Sequence, residues 1–180
     1  MKTYVYLFSG GIRRRVIPRP DRIFTSLASY KGQLFASNLY KIFVFDKYPN
    51  QETVLKKIDL QCWAQFWNSI RVLHDNIYVC SCASNKLGVF STDGDLKTQY
   101  EMKGIKSHDS CLSVWDASWG LLLLTDQMKN QLYIMKPDSN AKQLKLNRVI
   151  AQPSAAVLIN DSLIVYSVAE NNLFQFSIEH

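Results

Sequence analysis

No apolar stretch in this chain approaches the roughly 18 residues that a membrane-spanning helix needs, so a helical span is excluded. The apolar start Tyr4-Val5-Tyr6-Leu7-Phe8 is too short for a signal peptide and is broken by Gly10-Gly11 and Arg13-Arg14-Arg15. The four cysteines, Cys62, Cys80, Cys82 and Cys111, contain no CxxC pair, which argues against a disulfide-stapled secreted module. A soluble protein of the reducing cytoplasm, with no membrane partner, is the expectation. Arg13-Arg14-Arg15 would also suit a nuclear address, but a solvated outer strand explains the run equally well.

Material for catalysis is thin. There are three histidines, His74, His108 and His180. Cys80 and Cys82 alternate along one strand and so share a side, and His108 and Cys111 follow on a loop, yet the spacing is not that of structural zinc. Buried thiols are the expectation instead. Asp116 and Asp126 are the carboxylates nearest the buried strands, and such groups more often accept hydrogen bonds than form an acid–base pair. Gly10-Gly11 opens a second strand rather than a helix, so no phosphate loop is read. Neither a cofactor, a metal nor an enzymatic activity is expected.

Helical periodicity is missing too. No i, i+3, i+4, i+7 apolar pattern persists for a dozen residues, although Cys62 to Ser69 has room for one helical turn. What the chain has is a repeat. Asn76-Ile77-Tyr78-Val79-Cys80-Ser81, a polar loop, Lys86-Leu87-Gly88-Val89-Phe90-Ser91 and the turn Thr92-Asp93-Gly94-Asp95 read as two apolar strands closed by a hairpin signal. The unit recurs from Gln33 to Asp46, from Leu122 to Met135 and from Ser162 to Ser177. Anchored on the second residue of the later strand, Ile42, Leu87, Leu132 and Leu173, the intervals are 45, 45 and 41 residues.

That period matches a four-stranded propeller blade. An inner strand a precedes the central pair b and c, as in Ser69 to Leu73, Leu112 to Asp116 and Ala155 to Ile159. An outer strand d follows, as in Glu52 to Leu60, Leu96 to Met102 and Lys142 to Ile150, with Lys56, Lys57, Lys97, Lys145 and Arg148 marking it as exposed. The predicted fold is therefore an all-β propeller of about four four-stranded antiparallel blades in one domain, residues 1–180. Blade repeats fall at about 22–62, 66–104, 111–150 and 154–180, and residues 3–17 form a strand pair of a preceding or closing blade. Either an N-terminal strand completes the last blade and closes a small ring, or the chain is part of a larger propeller. An open array exposes an apolar flank and invites self-association.

Asn76-Ile77-Tyr78-Val79, then Leu87-Gly88-Val89-Phe90 and Asp93-Gly94, resemble an NHL-type propeller repeat of the kind that ends tripartite-motif proteins. The resemblance covers residues 68–104 best. Strand b in that family commonly ends in aspartate, kept here at Asp126 and replaced by Ser81 and Ser167, and Asn85-Lys86 matches its asparagine and basic residue before strand c. The first unit has a hairpin shortened by two residues. Trp115-Asp116 falls in strand a, whereas WD-type repeats place that dipeptide at the end of strand c. The resemblance implies a recognition module whose relatives bind RNA or proteins on a loop rim.

In a propeller the b–c loops and the d–a connections share one rim. That rim should hold Lys41, Lys86 and Lys129 from the b–c loops, with Arg19, Arg22, Trp63, Phe66, Trp67, Lys103, Lys106 and His108 from the d–a connections. The excess of 21 Lys+Arg over 15 Asp+Glu permits an acidic partner, and serves solubility equally well. Cations among aromatics suit single-stranded nucleic acid, through phosphate contacts and base stacking. They also suit protein interfaces, where aromatics and Arg act as anchors. A non-catalytic module binding a protein partner is the first expectation, single-stranded RNA the second, and a propeller enzyme or metal site the third.

Overall fold

Among the described residues the chain forms strands only, in agreement with its missing helical periodicity. The computed structural model describes residues 3–9, 12–19, 24–38, 40–46, 54–60, 68–81, 86–102, 112–117, 121–136, 142–159 and 162–177. The possible helical turn after Cys62 and the Gly10-Gly11 turn lie outside them.

β1 (Thr3–Ser9) and β2 (Ile12–Arg19) form a two-stranded antiparallel sheet. The first complete blade is β3 (Ser26–Tyr30), β4 (Gln33–Ser37), β5 (Lys41–Asp46) and β6 (Val54–Asp59). The second is β7 (Asn68–Leu73), β8 (Asn76–Ser81), β9 (Lys86–Ser91) and β10 (Leu96–Glu101). The third is β11 (Leu112–Ala117), β12 (Leu121–Asp126), β13 (Gln131–Met135) and β14 (Lys142–Leu144). The last blade has three strands: β15 (Pro153–Ile159), β16 (Ser162–Ser167) and β17 (Asn172–Ser177). In each sheet the strands lie in chain order and pair antiparallel.

The two-residue turns that keep these meanders tight need left-handed backbone, because only such turns match the twist of the flanking strands. Lys31 (φ 43°) and Gly32 (φ 78°) supply it in the first blade, and His74 (φ 47°) and Asp75 (φ 59°) in the second. Gly94 (φ 103°) does more than turn the chain. A Cβ there would sit 3.1 Å from Ile58 Cγ2 of the preceding blade, so the turn approaches its neighbour closely.

In the first two blades strands b and c are buried on both faces, which explains their near-continuous apolar runs. In the second and third blades one face of the sheet packs on the blade before and the other on the blade after. Phe35, Ile42, Val44 and Ile58 meet Ile70, Ile77, Val79 and Phe90 between the first and second blades. Tyr78, Cys80, Leu87 and Met102 meet Leu122, Leu124, Tyr133 and Met135 between the second and third. Leu123 and Leu132 meet Ala156, Leu163 and Val165 between the third and last. Strands a of successive blades also touch, β3 with β7, β7 with β11 and β11 with β15, which places them innermost. Blades stacked around their first strands make a propeller, and neither end sheet pairs with the other among the described residues.

One boundary differs from the sequence expectation. The third strand d was expected from Lys142 to Ile150, but β14 stops at Leu144. The connection beyond it is drawn toward the last blade: Ile150 is buried in the shared core and Arg148 bonds to Glu170.

Candidate loop rim and its charge pairs

The b–c turns and the d–a connections do meet at one rim. Leu60 N–H, just after β6, donates to Tyr40 O of the first b–c turn at 2.8 Å. Gln152 N–H, just before β15, donates to Asn130 Oδ1 of the third b–c turn at 2.7 Å.

These turns share one capping device. A polar residue at the end of strand b, or just past it in the first blade, accepts the backbone N–H three residues on: Asn38 from Lys41 at 2.7 Å, Asp126 from Lys129 at 3.0 Å, and Ser167 from Glu170 at 3.0 Å. A short polar side chain holding the following loop is the reason aspartate, asparagine and serine recur there. Asp126 and Ser167 are fully buried, as is Ser81 at the matching position. Ser81 Oγ and Asp126 Oδ2 have no hydrogen-bond partner among the described residues.

Lys41, Lys86 and Lys129 all fall on this rim, and the structure gives each a carboxylate for company. Lys41 Nζ lies 3.5 Å from Asp59 Oδ2 at the end of strand d. Lys86 stands opposite Glu101, the residue that ends the next strand d. Lys129 Nζ is 3.8 Å from Asp126 Oδ2. The fourth b–c turn carries Glu170 where Lys129 would be, bonded to Arg148 at 3.1 Å. Burial first, and the charge of Asp126 second, push the Tyr133 hydroxyl above its ordinary pKa. The acidic partners Asp59 and Glu101 were not legible as site residues, because their role appears only once the c–d register is known.

Arg19 ends β2, opposite Thr3. Arg22, Trp63, Phe66, Trp67, Lys103, Lys106 and His108 lie outside the described residues, as do Cys82 and Cys111. Cys80 is fully buried, with its thiol 3.8 Å from Met102 Sδ. Among the described residues no three His, Cys, Asp or Glu side chains gather as a metal would require. Asp116 is opposite Leu122 while Asp126 is opposite Leu112, four residues further along β11, or about 13 Å.

No protein-family model matches the chain, and no curated protein matches it by sequence. Solved structures do. The WD40 β-propeller domain of Doa1 is 14% identical with a TM-score of 0.68, over 98% of this chain and 58% of that one. Virginiamycin B lyase from Staphylococcus aureus is 14% identical with a TM-score of 0.63, over 92% of this chain and 60% of that one. The fold is a β-propeller. The computationally designed Ika4 protein, 12% identical with a TM-score of 0.58, is matched over 88% of this chain and 93% of its own. This propeller thus spans about three fifths of the length of the two natural proteins and nearly all of the designed one. At these identities the likeness concerns the fold alone.

Proposed function

We propose that the chain is a non-catalytic recognition module that binds a protein partner through its b–c and d–a rim. The observation that carries this reading is the mixed charge of the rim: Lys41 is ion-paired with Asp59 and Lys129 with Asp126, and Lys86 stands opposite Glu101 in the strand register. Phosphate backbones are gripped by cations in excess, whereas a border of mixed charge is the ordinary rim of a protein interface. The neighbouring Doa1 domain is of the WD40 type, and the NHL resemblance of residues 68–104 points to recognition as well. The wide separation of Asp116 from Asp126 along β11 supports a non-catalytic role. Aromatic anchors are assigned to Trp63, Phe66 and Trp67 of a d–a connection, with Lys103, Lys106 and His108 on the next.

Single-stranded RNA is the competing ligand, and one experiment separates the two. Anisotropy of a labelled uridine-rich 20-mer is measured at low and physiological salt, with the native chain and with Lys41, Lys86 and Lys129 all changed to Glu. A protein-binding rim predicts weak RNA affinity that the triple change hardly alters, and a Trp67→Ala variant that loses the captured protein partner with little salt effect. Steep salt dependence abolished by the triple change would establish RNA binding instead.

A further inference from the structure

Each described b–c turn carries the same two features at its tip. The cap at the end of strand b, or just past it, holds the N–H three residues on, so the side chains in between are turned outward. One of these is a large apolar group left in solvent: Tyr40 in the first turn, Met128 in the third and Val168 in the fourth, with relative exposures of 59%, 66% and 48%. The residue three past the cap is charged and already paired within the chain, Lys41 with Asp59, Lys129 with Asp126 and Glu170 with Arg148. The second turn lies outside the described residues.

One exposed apolar residue needs no explanation, but three at matching places on one rim make a row that a partner can cover. The charges beside them are balanced internally, so complementarity favours an uncharged occupant. An acidic segment would have to separate Asp59, Asp126 or Glu170 from its cation, and Asp126 is fully buried. Spacing points to the conformation. Packed sheets lie about 10 Å apart, so neighbouring tips stand about 10 Å apart and the first and third about 20 Å. A polyproline II segment, with three residues per turn, brings every third side chain to one side about 9 Å further on. A β-strand repeats at about 7 or 13 Å and misses the tips. A helix returns after about 10.5 Å, but its backbone is bonded internally. Asn130 and Asn171 use Oδ1 within the chain and present their amide NH2 groups beside the third and fourth tips, which suits a backbone whose carbonyls are unpaired.

Granted that the rim binds a protein, we infer that its turn tips take an uncharged segment in the polyproline II conformation with an apolar residue at every third position. Tyr40, Met128 and Val168 are then the anchors, and the paired charges form the border that excludes water around them.

The probe is a capped, fluorescein-labelled peptide of four Leu-Pro-Gln repeats, whose prolines bar both helix and strand. Anisotropy should show saturable binding to the full chain that changes little between low and physiological salt. A peptide of the same composition with its leucines two and four places apart should bind about tenfold more weakly or worse. Tyr40→Ser, Met128→Ser and Val168→Ser together should weaken the first peptide by a similar factor. The shuffled peptide leaves the protein unaltered, so misfolding cannot mimic the loss. Absence of saturable binding, or a steep salt dependence, overturns the inference. Equal binding of both peptides, abolished by the triple change, overturns the spacing and leaves the rim a protein-binding surface. Equal binding that survives the triple change overturns the spacing and counts against the rim as well.

Discussion

Lys31 Nζ lies 2.8 Å from Asp75 Oδ1, so the a–b turn of one blade is tied directly to the a–b turn of the next. The Asp75 N–H donates to the Tyr30 hydroxyl at 3.2 Å, fixing the same junction from the backbone. Further out, Lys56 Nζ is 2.8 Å from Asp93 Oδ1, again across blades. Both contacts lie on the face opposite Lys41, Lys86 and Lys129.

These two pairs respond to opposite ends of the pH scale. The hydrogen bond to Asp75 holds Lys31 above its ordinary pKa of 10.5, and the hydrogen bond from Lys56 holds Asp93 below its ordinary 3.8. Stability from a raised cation is fully present below 10.5 and disappears as pH rises through the folded value. Stability from a lowered acid is present above 3.8 and disappears as pH falls through the folded value. The Tm deficit of Asp93→Asn should therefore be constant from about pH 5 to neutrality and vanish in acid, and that of Lys31→Met should be constant from neutrality to about pH 10 and vanish in strong alkali. Both deficits are expected to be small and reduced by salt, since the groups are exposed. Deficits that change near neutrality would contradict the assignment.

Leu132 and Leu173 occupy the same second position of strand c, yet one is 3% exposed and the other 63%. Leu132→Ala should cost about 2–5 kcal/mol in urea unfolding, through lost burial and a residual cavity. Leu173→Ala should stay within about 0.5 kcal/mol. Equal costs would show that the outer face of the last blade is covered in solution.

Gly32 and Gly94 both have positive φ, but only Gly94 has a neighbour, Ile58, in the way of a side chain. Gly32→Ala should carry the backbone penalty alone, about 1 kcal/mol. Gly94→Ala should cost clearly more, because Ile58 must shift as well. The difference should shrink when Ile58→Ala, which removes both crowding Cγ atoms, is introduced, and a double-mutant cycle measures it.

Strands b and c were legible to within one residue, because a hairpin is written locally: apolar runs at Gln33, Asn76, Leu122 (β12 itself starts at Leu121) and Ser162, then turn residues, then a second run. The hydrophobic anchors Ile42, Leu87, Leu132 and Leu173 gave the period for the same reason. The early end of β14 was not legible. What takes the following residues out of the sheet is a partner 22 residues ahead, Glu170, to which Arg148 bonds. The lysines of the rim could be named from the sequence, but their pairing with Asp59 and Glu101 needs the strand register. The separation of Asp116 from Asp126 likewise follows from register and not from composition.

The blade junctions all draw on the same positions of strands b and c, and each junction joins only immediate neighbours. Such a molecule is modular in the way of a stack of cups. Excising one period of 45 residues, the spacing from Ile42 to Leu87, would bring together two faces already shaped to nest, and duplicating it would do the same. Length in this architecture can therefore drift by whole units while the interior stays solvent-free.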